Sequence, residues 1–280
     1  MSIRPVPHPT FYSVLETEAR PLVGMWVCSG SPLVAEICAG SGLDWLLIDA
    51  EHSPNGIESI LGQLHSVSGY PVQVMVRPPV NDPVVIKQYL DLGVQNLLVP
   101  MVNSALEAEA AVAAVRYPPL GIRGVGSALA RASRWNRIPD YLAQADDTVS
   151  VTVQVESEAA AAAVEEILAV DGVDGIFLGP SDLAASMGLL GQHENPLVRA
   201  VVEHCLAAAG AAGKPAGVNA FNEEIARAYL DAGAAFALVG ADVVVLARAS
   251  EVFAEKFIRG AAPVVESLHE PAAERLDRAG

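Results

Sequence analysis

Eight short apolar segments recur along this chain, with Ala- and Leu-rich stretches at helical spacing between them. Few folds are compatible with this alternation of strand and helix segments, because strands that alternate with helices assemble into a parallel sheet. The segments are continuously apolar rather than alternating, as expected of strands covered by protein on both faces. The strand candidates are residues 22–28, 45–49, 72–77, 96–101, 150–156, 174–178, 215–219 and 236–240.

The stretches between these strands carry helix signals. Gly93, Gly172 and Gly233 each follow a helical stretch and precede a strand candidate, the place where glycine commonly ends a helix. Eight such units predict an α/β fold, a (β/α)8 TIM barrel, with residues 1–280 as one domain. Helical spacing is clearest in residues 83–92, 104–115, 158–170 and 222–232.

A doubly wound sheet is the alternative fold with the same rhythm. Its dinucleotide-binding form needs Gly-x-Gly-x-x-Gly at the opening of the first helix. The run GIRGVG at 121–126 has the wrong order and follows no strong strand. We interpret it as a flexible loop and expect no nucleotide cofactor.

Three segments fall outside the rhythm. Residues 1–20 are Pro-rich and then mildly amphipathic, which predicts an arm leading into a short helix. Residues 117–147 form a long connection, and such connections in a compact domain usually serve function or an interface. Residues 262–280 are Ala- and charge-rich, and we expect a C-terminal tail there.

Composition excludes several classes of protein. The net charge of −16 would repel nucleic acid, and no cluster of Lys and Arg offsets it locally. Cys28, Cys38 and Cys205 are too far apart to indicate a thiolate metal site or a disulfide framework. The longer apolar runs are interrupted by Gly, Asp or Glu, so we expect a cytoplasmic protein without a membrane segment.

The most informative stretch is Gly179-Pro180-Ser181-Asp182, where a strand candidate passes into a helix. Backbone N–H groups at a helix start favour an anion, and Asp182 would hold a cation beside it. Glu156 ends the preceding strand, so two carboxylates would meet at neighbouring strand tips. Such a pair suits Mg²⁺ or Mn²⁺, whereas the plainer alternative is that each acid caps a helix.

Two further strand ends carry polar side chains. His52 follows Asp49 at Asp-x-x-His spacing, which favours a general base oriented by the aspartate over a structural histidine. Glu51, between them, stays open between a functional and a structural role. Arg77 ends the third strand, where it would stabilise an oxyanion or hold a carboxylate; an ion pair at the rim is the alternative.

The positions of the three lysines bear on whether the protein could form a Schiff base with a carbonyl substrate. Lys87 lies in a helical stretch, Lys214 precedes a strand, and Lys256 is near the C-terminus. None is placed at the ends of the strands where a barrel enzyme works, so no Schiff-base lysine is expected. If carbonyl chemistry occurs here, a divalent metal ion must act as the electron sink.

Taken together, these motifs resemble the HpcH/HpaI family of class II pyruvate aldolases, over about residues 14–260. The resemblance implies a TIM barrel whose C-terminal helix is exchanged between subunits of a hexamer, a trimer of dimers. It also implies reversible cleavage of 4-hydroxy-2-oxo acids, such as 4-hydroxy-2-oxoheptanedioate, to pyruvate and an aldehyde. The motifs are LLIDAEH (46–52), VRP (76–78), NDP (81–83), LVPM (98–101), GIRGVG (121–126), RASRWN (131–136), QVE (154–156) and GPSDL (179–183).

The resemblance also implies roles for particular residues. Glu156 and Asp182 would bind Mg²⁺, Mn²⁺ or Co²⁺, Arg77 would stabilise the enolate, and His52 with Asp49 would act on the 4-hydroxyl group. The implied substrate-binding residues are Trp26, Gln154, Gly179, Pro180, Ser181 and Asp91, the last near a neighbouring subunit's site or in a surface ion pair.

The sequence departs from the family pattern at a few positions. Ser181 stands where alanine is usual and Ala50 where glycine is common, and the first strand reads WVCSG at 26–30. These changes leave the aldehyde open. Cleavage of a 2-dehydro-3-deoxy sugar acid and decarboxylation of oxaloacetate are alternatives with the same enolate chemistry, and a ligand-binding barrel without catalysis is the non-enzymatic alternative.

Overall fold

The computed structural model describes residues 7–259, which form a closed barrel of eight parallel strands in sequential order. The predicted (β/α)8 fold is confirmed, and so is the position of each strand to within two residues. The strands are β1 (Leu22–Val27), β2 (Trp45–Asp49), β3 (Gln73–Arg77), β4 (Asn96–Val99), β5 (Ser150–Val155), β6 (Gly175–Leu178), β7 (Ala216–Asn219) and β8 (Phe236–Ala241).

The end of β4 was predicted two residues too late. Pro100 lacks the N–H that would continue the strand ladder, and Met101 has a left-handed backbone with φ of 54°. The chain therefore turns away from the sheet after Val99.

Helices follow the strands on the outside of the barrel. They are α1 (Phe11–Leu15), α2 (Pro32–Ala39), α3 (Ile57–Val67), α4 (Pro83–Asp91), α5 (Ala105–Val115), α6 (Tyr141–Gln144), α7 (Glu158–Ala162), α8 (Val164–Leu168), α9 (Pro180–Ser186), α10 (Pro196–Ala211), α11 (Glu223–Asp231) and α12 (Asp242–Ala254), with a π-helical turn at Glu255–Arg259.

Local sequence accounts for most helix ends. The side chains of Asp82 and Asn222 cap α4 and α11 by accepting backbone N–H groups of the first turn. Gly93, Gly172 and Gly233 have φ of 90°, 90° and 106°, so the predicted glycine helix ends are confirmed. The helix predicted at 158–170 is interrupted at Ala163, and nothing in that alanine-rich sequence explains the break.

The barrel interior is filled by aromatic rings near its N-terminal mouth. Phe11 of α1 packs against Trp45 and Phe236 with ring centroids 5.2 and 5.0 Å apart, and all three are fully buried. Gly217 makes room for this cluster, because a Cβ there would lie 2.1 Å from the Phe236 ring. The short helix predicted after the N-terminal arm therefore closes one end of the barrel.

The connection between α5 and β5 is irregular, as predicted. It contains a 3-10 turn at Arg131–Ser133, followed by three residues with left-handed backbones, Arg134, Trp135 and Asn136. The run at 121–126 has neither helix nor strand.

Two sequence-based predictions concern the chain ends and its surroundings. Residues 1–6 of the predicted arm and the whole predicted tail at 262–280 lie outside the described residues. Among residues 7–259, no helix combines the length and the apolar character needed to span a bilayer. Exchange of the C-terminal helix between subunits stays a prediction.

Candidate active site

The C-terminal ends of β2, β3, β5 and β6 bring together most of the predicted site residues. Asp49 and Arg77 are the last residues of β2 and β3 and are paired in the strand register. Glu156 directly follows β5, and Gly179 directly follows β6. Because parallel strands all end at the same mouth, these side chains converge there.

Arg77 is the central cation of this mouth. Its Nε donates to Asp49 Oδ1 at 2.8 Å, and its Nη1 lies 2.9 Å from Glu51 Oε2. Arg77 and Asp49 are only 5% and 1% exposed, and such buried charges persist only when they are paired. The guanidinium also lies over the Trp26 ring, 4.3 Å from its centroid, which fixes the arginine from a second side.

Asp49 organises the loop after β2. Its two carboxylate oxygens accept the backbone N–H groups of Glu51 and His52, both at 3.1 Å. The imidazole Nε2 of His52 instead lies 3.8 Å from Glu51 Oε2. The Asp49 carboxylate is thus occupied by Arg77 and by backbone donors, and its predicted role in orienting the imidazole stays a prediction.

Glu156 is a buried carboxylate, 3% exposed, held by two donors. Gln154 Nε2 donates to its Oε2, and the backbone N–H of Met101 donates to its Oε1 at 2.8 Å. The pKa of Glu156 is raised to about 7, above all by burial and less by the charges of Glu51 and Asp182, while the Met101 hydrogen bond and the Arg77 charge oppose the rise. A negative charge at Glu156 thus lacks a full counter-charge.

Gln154 links the cation and the carboxylate. Its Oε1 accepts from Arg77 Nη1 at 3.4 Å while its Nε2 donates to Glu156. The order Arg77, Gln154, Glu156 forms a continuous chain of hydrogen bonds across the mouth. The predicted supporting role of Gln154 stays a prediction for the reaction, but its contacts fit that role.

The first turn of α9 forms the other wall of the site. Gly179 stands at its N-cap and Pro180 at its first position, while Ser181 and Asp182 are exposed to solvent. A Cβ at Gly179 would lie 3.0 Å from Glu156 Cβ and 3.1 Å from Gln154 Nε2, so a larger residue would have to shift these side chains by a few tenths of an ångström. The negative charge of Asp182 also raises the pKa of Glu51, which burial raises most.

Trp26 occupies the mouth beside Arg77. Its Nε1 donates to Asn219 Oδ1 at 2.8 Å, and its ring makes an edge-on contact with Phe177. The indole is 8% exposed and therefore forms part of the wall. Asn219 was not among the predicted site residues, although its position at the end of a predicted strand was a usable signal.

Asp91 does not join this group within one chain. It is the last residue of α4, which runs back toward the opposite mouth, and its Oδ1 lies 3.7 Å from Nη2 of the buried Arg123. Burial raises the pKa of Asp91, and Arg123 opposes that rise. Its role at a neighbouring subunit's site stays a prediction.

One family model matches most of the chain. The family model for HpcH/HpaI aldolase/citrate lyase matches residues 22–249, which include all eight strands and most of α12. The chain belongs to the HpcH/HpaI aldolase/citrate lyase family. The resemblance noted in the sequence is thereby confirmed.

Individual relatives of this HpcH/HpaI family member are similar over most of their length. A curated protein from Salmonella dublin, named 4-hydroxy-2-oxo-heptane-1,7-dioate aldolase, is 53% identical over 238 residues, 85% of this chain and 90% of the relative. A crystal structure of a family protein from Burkholderia cenocepacia J2315 is 39% identical, with a TM-score of 0.83 over 88% of this chain and 97% of that chain. For an HpcH/HpaI aldolase from Desulfitobacterium hafniense DCB-2 these values are 26%, 0.82, 93% and 100%.

The donor set of this HpcH/HpaI site fits a hard divalent cation. Within residues 7–259, no three or more His, Cys, Asp or Glu side chains converge on a common metal position. Glu156 and Asp182 together offer two carboxylates, one buried and one exposed. Such pairs suit Mg²⁺-type ions, which keep water or substrate oxygens as further ligands. The surplus negative charge around Glu156 fits a cation at this place.

Proposed function

We propose that the protein is a divalent-metal-dependent aldolase that cleaves 4-hydroxy-2-oxo acids, such as 4-hydroxy-2-oxo-heptane-1,7-dioate, to pyruvate and an aldehyde. The name of the 53% identical relative supports the substrate class. The observation that supports the proposal is the buried series Arg77, Gln154 and Glu156, in which Gln154 links a cation to a carboxylate by hydrogen bonds. Arg77 and a metal ion held by Glu156 would together stabilise the enolate that cleavage next to a 2-oxo group leaves.

Glu156 and Asp182 would hold the metal ion. When bound, the ion supplies Lewis-acid stabilisation to the 2-oxo group of the substrate. Gln154 and the Met101 N–H each donate to one oxygen of Glu156, which fixes the orientation of that carboxylate before any ligand arrives. Mg²⁺, Mn²⁺ and Co²⁺ are the proposed candidates.

Arg77 would stabilise the enolate that forms when the C3–C4 bond breaks. Its guanidinium is fixed by Asp49, Glu51 and the Trp26 ring, so it needs little rearrangement as negative charge develops. One well-placed oxyanion partner of this kind contributes about 10²- to 10³-fold to kcat.

His52 would remove the proton from the 4-hydroxyl group. Its side chain is 67% exposed, so it reaches the open part of the mouth where the aldehyde half of the substrate would lie. As the hydroxyl proton passes to the imidazole, the C3–C4 bond breaks, the aldehyde leaves, and the electron pair remains in the enolate. Protonation of the enolate at C3 then gives pyruvate.

The first turn of α9 would receive the substrate carboxylate. Free backbone N–H groups at a helix start favour an anion, and Ser181 adds a hydroxyl donor. Because Ser181 replaces the alanine usual in the family, we expect it to influence which substrate is preferred.

The test is a pyruvate-release assay on a panel of 4-hydroxy-2-oxo acids, with the protein first treated with a chelator and Mg²⁺, Mn²⁺ or Co²⁺ then added back. We expect activity to vanish on chelation and return with the metal. The same panel contains oxaloacetate and a 2-dehydro-3-deoxy sugar acid, so faster turnover of either would replace the proposed substrate class. Full activity after chelation would exclude the metal role.

The base role has a matched control in the chain. His52→Gln should lower kcat by about 10²- to 10⁴-fold, the usual contribution of a general base. His204 is also exposed and also lies 3.8 Å from a glutamate, Glu165, but on α10 away from the mouth. His204→Gln should leave kcat unchanged, and equal losses in both variants would contradict a specific role for His52.

We also propose that the chain forms a homo-oligomer, in which α12 contributes to subunit contacts. Leu246 and Phe253 of α12 are 65% and 64% exposed, and Phe257 and Ile258 beyond it are 74% and 83% exposed. Apolar side chains of this size are usually covered in an assembly. Light scattering after size-exclusion chromatography measures the mass, and a monomer at micromolar concentration would contradict the proposal.

A further inference from the structure

A second cavity lies on the side of the barrel away from the catalytic mouth. It has a volume of about 160 Å³ and is bordered by the start of β3, the start of β4, the end of α3 and the turn after residue 130. Arg131 and Arg134 line it from the turn, His8 lines it from the N-terminal arm, and Ser68 and Gln95 add polar groups. We call it the basic cavity.

The arginines of the basic cavity are not neutralised by acidic side chains. Within the described part of the chain, neither arginine forms an ion pair; Arg131 Nη1 donates to the Leu92 carbonyl at 2.7 Å. No residue lining the cavity is Asp or Glu. Among the lining side chains, the Tyr70 hydroxyl donates to a carboxylate oxygen of Glu36 at 3.3 Å.

The positive charges of the basic cavity act on one another. Burial and, to a smaller extent, the charge of Arg134 lower the pKa of Arg131 to about 10. Burial and then both arginines lower the pKa of His65, on the neighbouring helix α3. Arginine side chains carry a positive charge at neutral pH. In a chain with a net charge of −16, an unneutralised pair of this kind stands out.

The backbone holds Arg134 in place in a conformation that is unfavourable for residues other than glycine. Arg134, Trp135 and Asn136 have φ of 52°, 56° and 59° in succession. The Ser133 hydroxyl stabilises this turn by donating to the Ser127 carbonyl and accepting the Asn136 N–H at 2.9 Å. Strain maintained in this way is often associated with a functional position, and here it presents an arginine to a cavity.

The size of the basic cavity limits its ligand. Sites for drug-sized molecules have volumes of about 300–1,000 Å³, so 160 Å³ suits only a small ligand and excludes a nucleotide. Guanidinium groups match the oxygens of phosphate and carboxylate through paired hydrogen bonds. We propose that the basic cavity binds a small dianion, phosphate or a short dicarboxylate, through Arg131 and Arg134.

This site is separate from the catalytic mouth. Gln73, at the start of β3, lines the basic cavity, while Arg77, at the end of β3, lies in the mouth. Four residue steps along the strand place them roughly 13 Å apart. The dianion would therefore bind without displacing the 2-oxo acid, and the proposal stands independently of the reaction proposed above.

The test is calorimetric titration of the full-length protein in Mg²⁺-containing buffer with inorganic phosphate and, separately, with succinate. Arg134→Gln removes one charge-assisted contact and should weaken binding at least about tenfold. Arg137→Gln is the control, because Arg137 is exposed, stacks over Trp135 at 5.5 Å and does not line the cavity. Pyruvate release should be the same in both variants as in the wild type.

The two probes separate the possible sources of the dianion. Binding of phosphate alone identifies a phosphate ligand, and binding of succinate alone a dicarboxylate; either supports the site. Arg134→Lys retains the positive charge but lacks the paired N–H donors of a guanidinium, so it should bind the dianion with intermediate affinity. It also serves as a control for a folding defect in Arg134→Gln.

Three results would overturn the proposal. The first is that neither probe binds with a Kd tighter than about 10 mM. The second is that Arg134→Gln binds both probes as well as the wild type does. The third is that saturating pyruvate abolishes the binding, which would place the anion in the catalytic mouth.

Discussion

The two mouths of the barrel differ in what fills them, although the same strands lead to both. At the N-terminal mouth, Phe11, Trp45 and Phe236 pack ring against ring without exposure to solvent. At the C-terminal mouth, Arg77 and Glu156 are as deeply buried, but hydrogen bonds rather than apolar contacts hold them. Strand β2 shows the contrast in five residues, because the buried Trp45 begins it and the buried Asp49 ends it.

We therefore expect residues at the N-terminal mouth to contribute mainly to stability and residues at the C-terminal mouth to contribute mainly to the reaction. Each buried aromatic side chain contributes about 1.5–3 kcal/mol to folding through apolar burial. Buried charges contribute little net stability, since desolvation offsets their attraction. Substitutions at one mouth should therefore change the free energy of unfolding, and substitutions at the other should change turnover.

The largest effect is expected at Glu156. Glu156→Gln retains the shape of the side chain but removes the charge that would hold the metal, so kcat/KM for pyruvate release should fall by about 10³-fold or more. The melting temperature should change little, because burial already disfavours a charge at this position and raises the pKa of Glu156 to about 7. Glu166→Gln, at an exposed position of α8, should change neither quantity.

A loss of several kcal/mol in stability with unaltered metal binding would contradict this separation of the two mouths at Glu156. Calorimetric titration with Mn²⁺ and thermal unfolding of the same sample provide both measurements.

The counterpart at the opposite mouth is Phe11. Phe11→Ala leaves a cavity among the buried rings and should lower the free energy of unfolding by about 3–5 kcal/mol. Because the Phe11 ring packs against Trp45 and Phe236 at the N-terminal mouth, kcat/KM of the folded fraction should stay the same. Urea unfolding measures the loss, with Leu190→Ala, at an 80% exposed position, as the control.

A large drop in kcat/KM for folded Phe11→Ala protein would show that the two mouths are coupled through the barrel interior.

A smaller effect is expected at Gly179, where backbone packing positions the site. In Gly179→Ala the new methyl group would lie 3.0 Å from Glu156 Cβ and must displace it by a few tenths of an ångström. A displacement of this size should reduce kcat by about tenfold, since a 1 Å error costs about 10²-fold. Gly188→Ala is a second glycine substitution, at a position with nothing within 4 Å.

The Gly188 variant should retain full kcat, although its φ of 73° adds backbone strain. If Gly179→Ala turns over at the wild-type rate, Glu156 does not depend on this close packing.

The smallest effect concerns a second Arg–Asp pair, near the N-terminal mouth. Arg20 donates to Asp44 and lowers its pKa, whereas partial burial raises it and the Val23 N–H lowers it. A lowered folded-state pKa contributes stability above the unfolded value, and this contribution disappears as pH falls through the folded pKa. Asp44→Asn should therefore lower the melting temperature by less than about 3 °C at pH 7.

The difference between Asp44→Asn and the wild type should shrink toward zero in strong acid. A difference that is constant from pH 7 to pH 2 would assign the effect to the Val23 hydrogen bond alone.

The sequence was sufficient to predict the strands, because each is a continuous apolar run, and to locate the site at their C-terminal ends. It was insufficient where distant residues decide the local structure. Met101 lies two residues after β4 and has a left-handed backbone. Its N–H donates to Glu156, which is 55 residues away. No local pattern predicts that contact.

The partner of Asp49 could not be predicted for a related reason. Spacing along the chain favoured His52, three residues away. The strand register places Arg77 directly beside Asp49, and a guanidinium in a buried position outcompetes an exposed imidazole for the carboxylate. Register is a property of the assembled sheet.

Helix α1 has a consequence for the order in which the barrel is completed. The Phe11 N–H donates to Asn96 at 2.7 Å, and the Tyr12 hydroxyl bonds to Thr152, 140 residues further along the chain. During synthesis, this helix leaves the ribosome long before either partner exists. The contacts of α1 with β4, β5 and β8 can therefore form only after each of those strands has been synthesised.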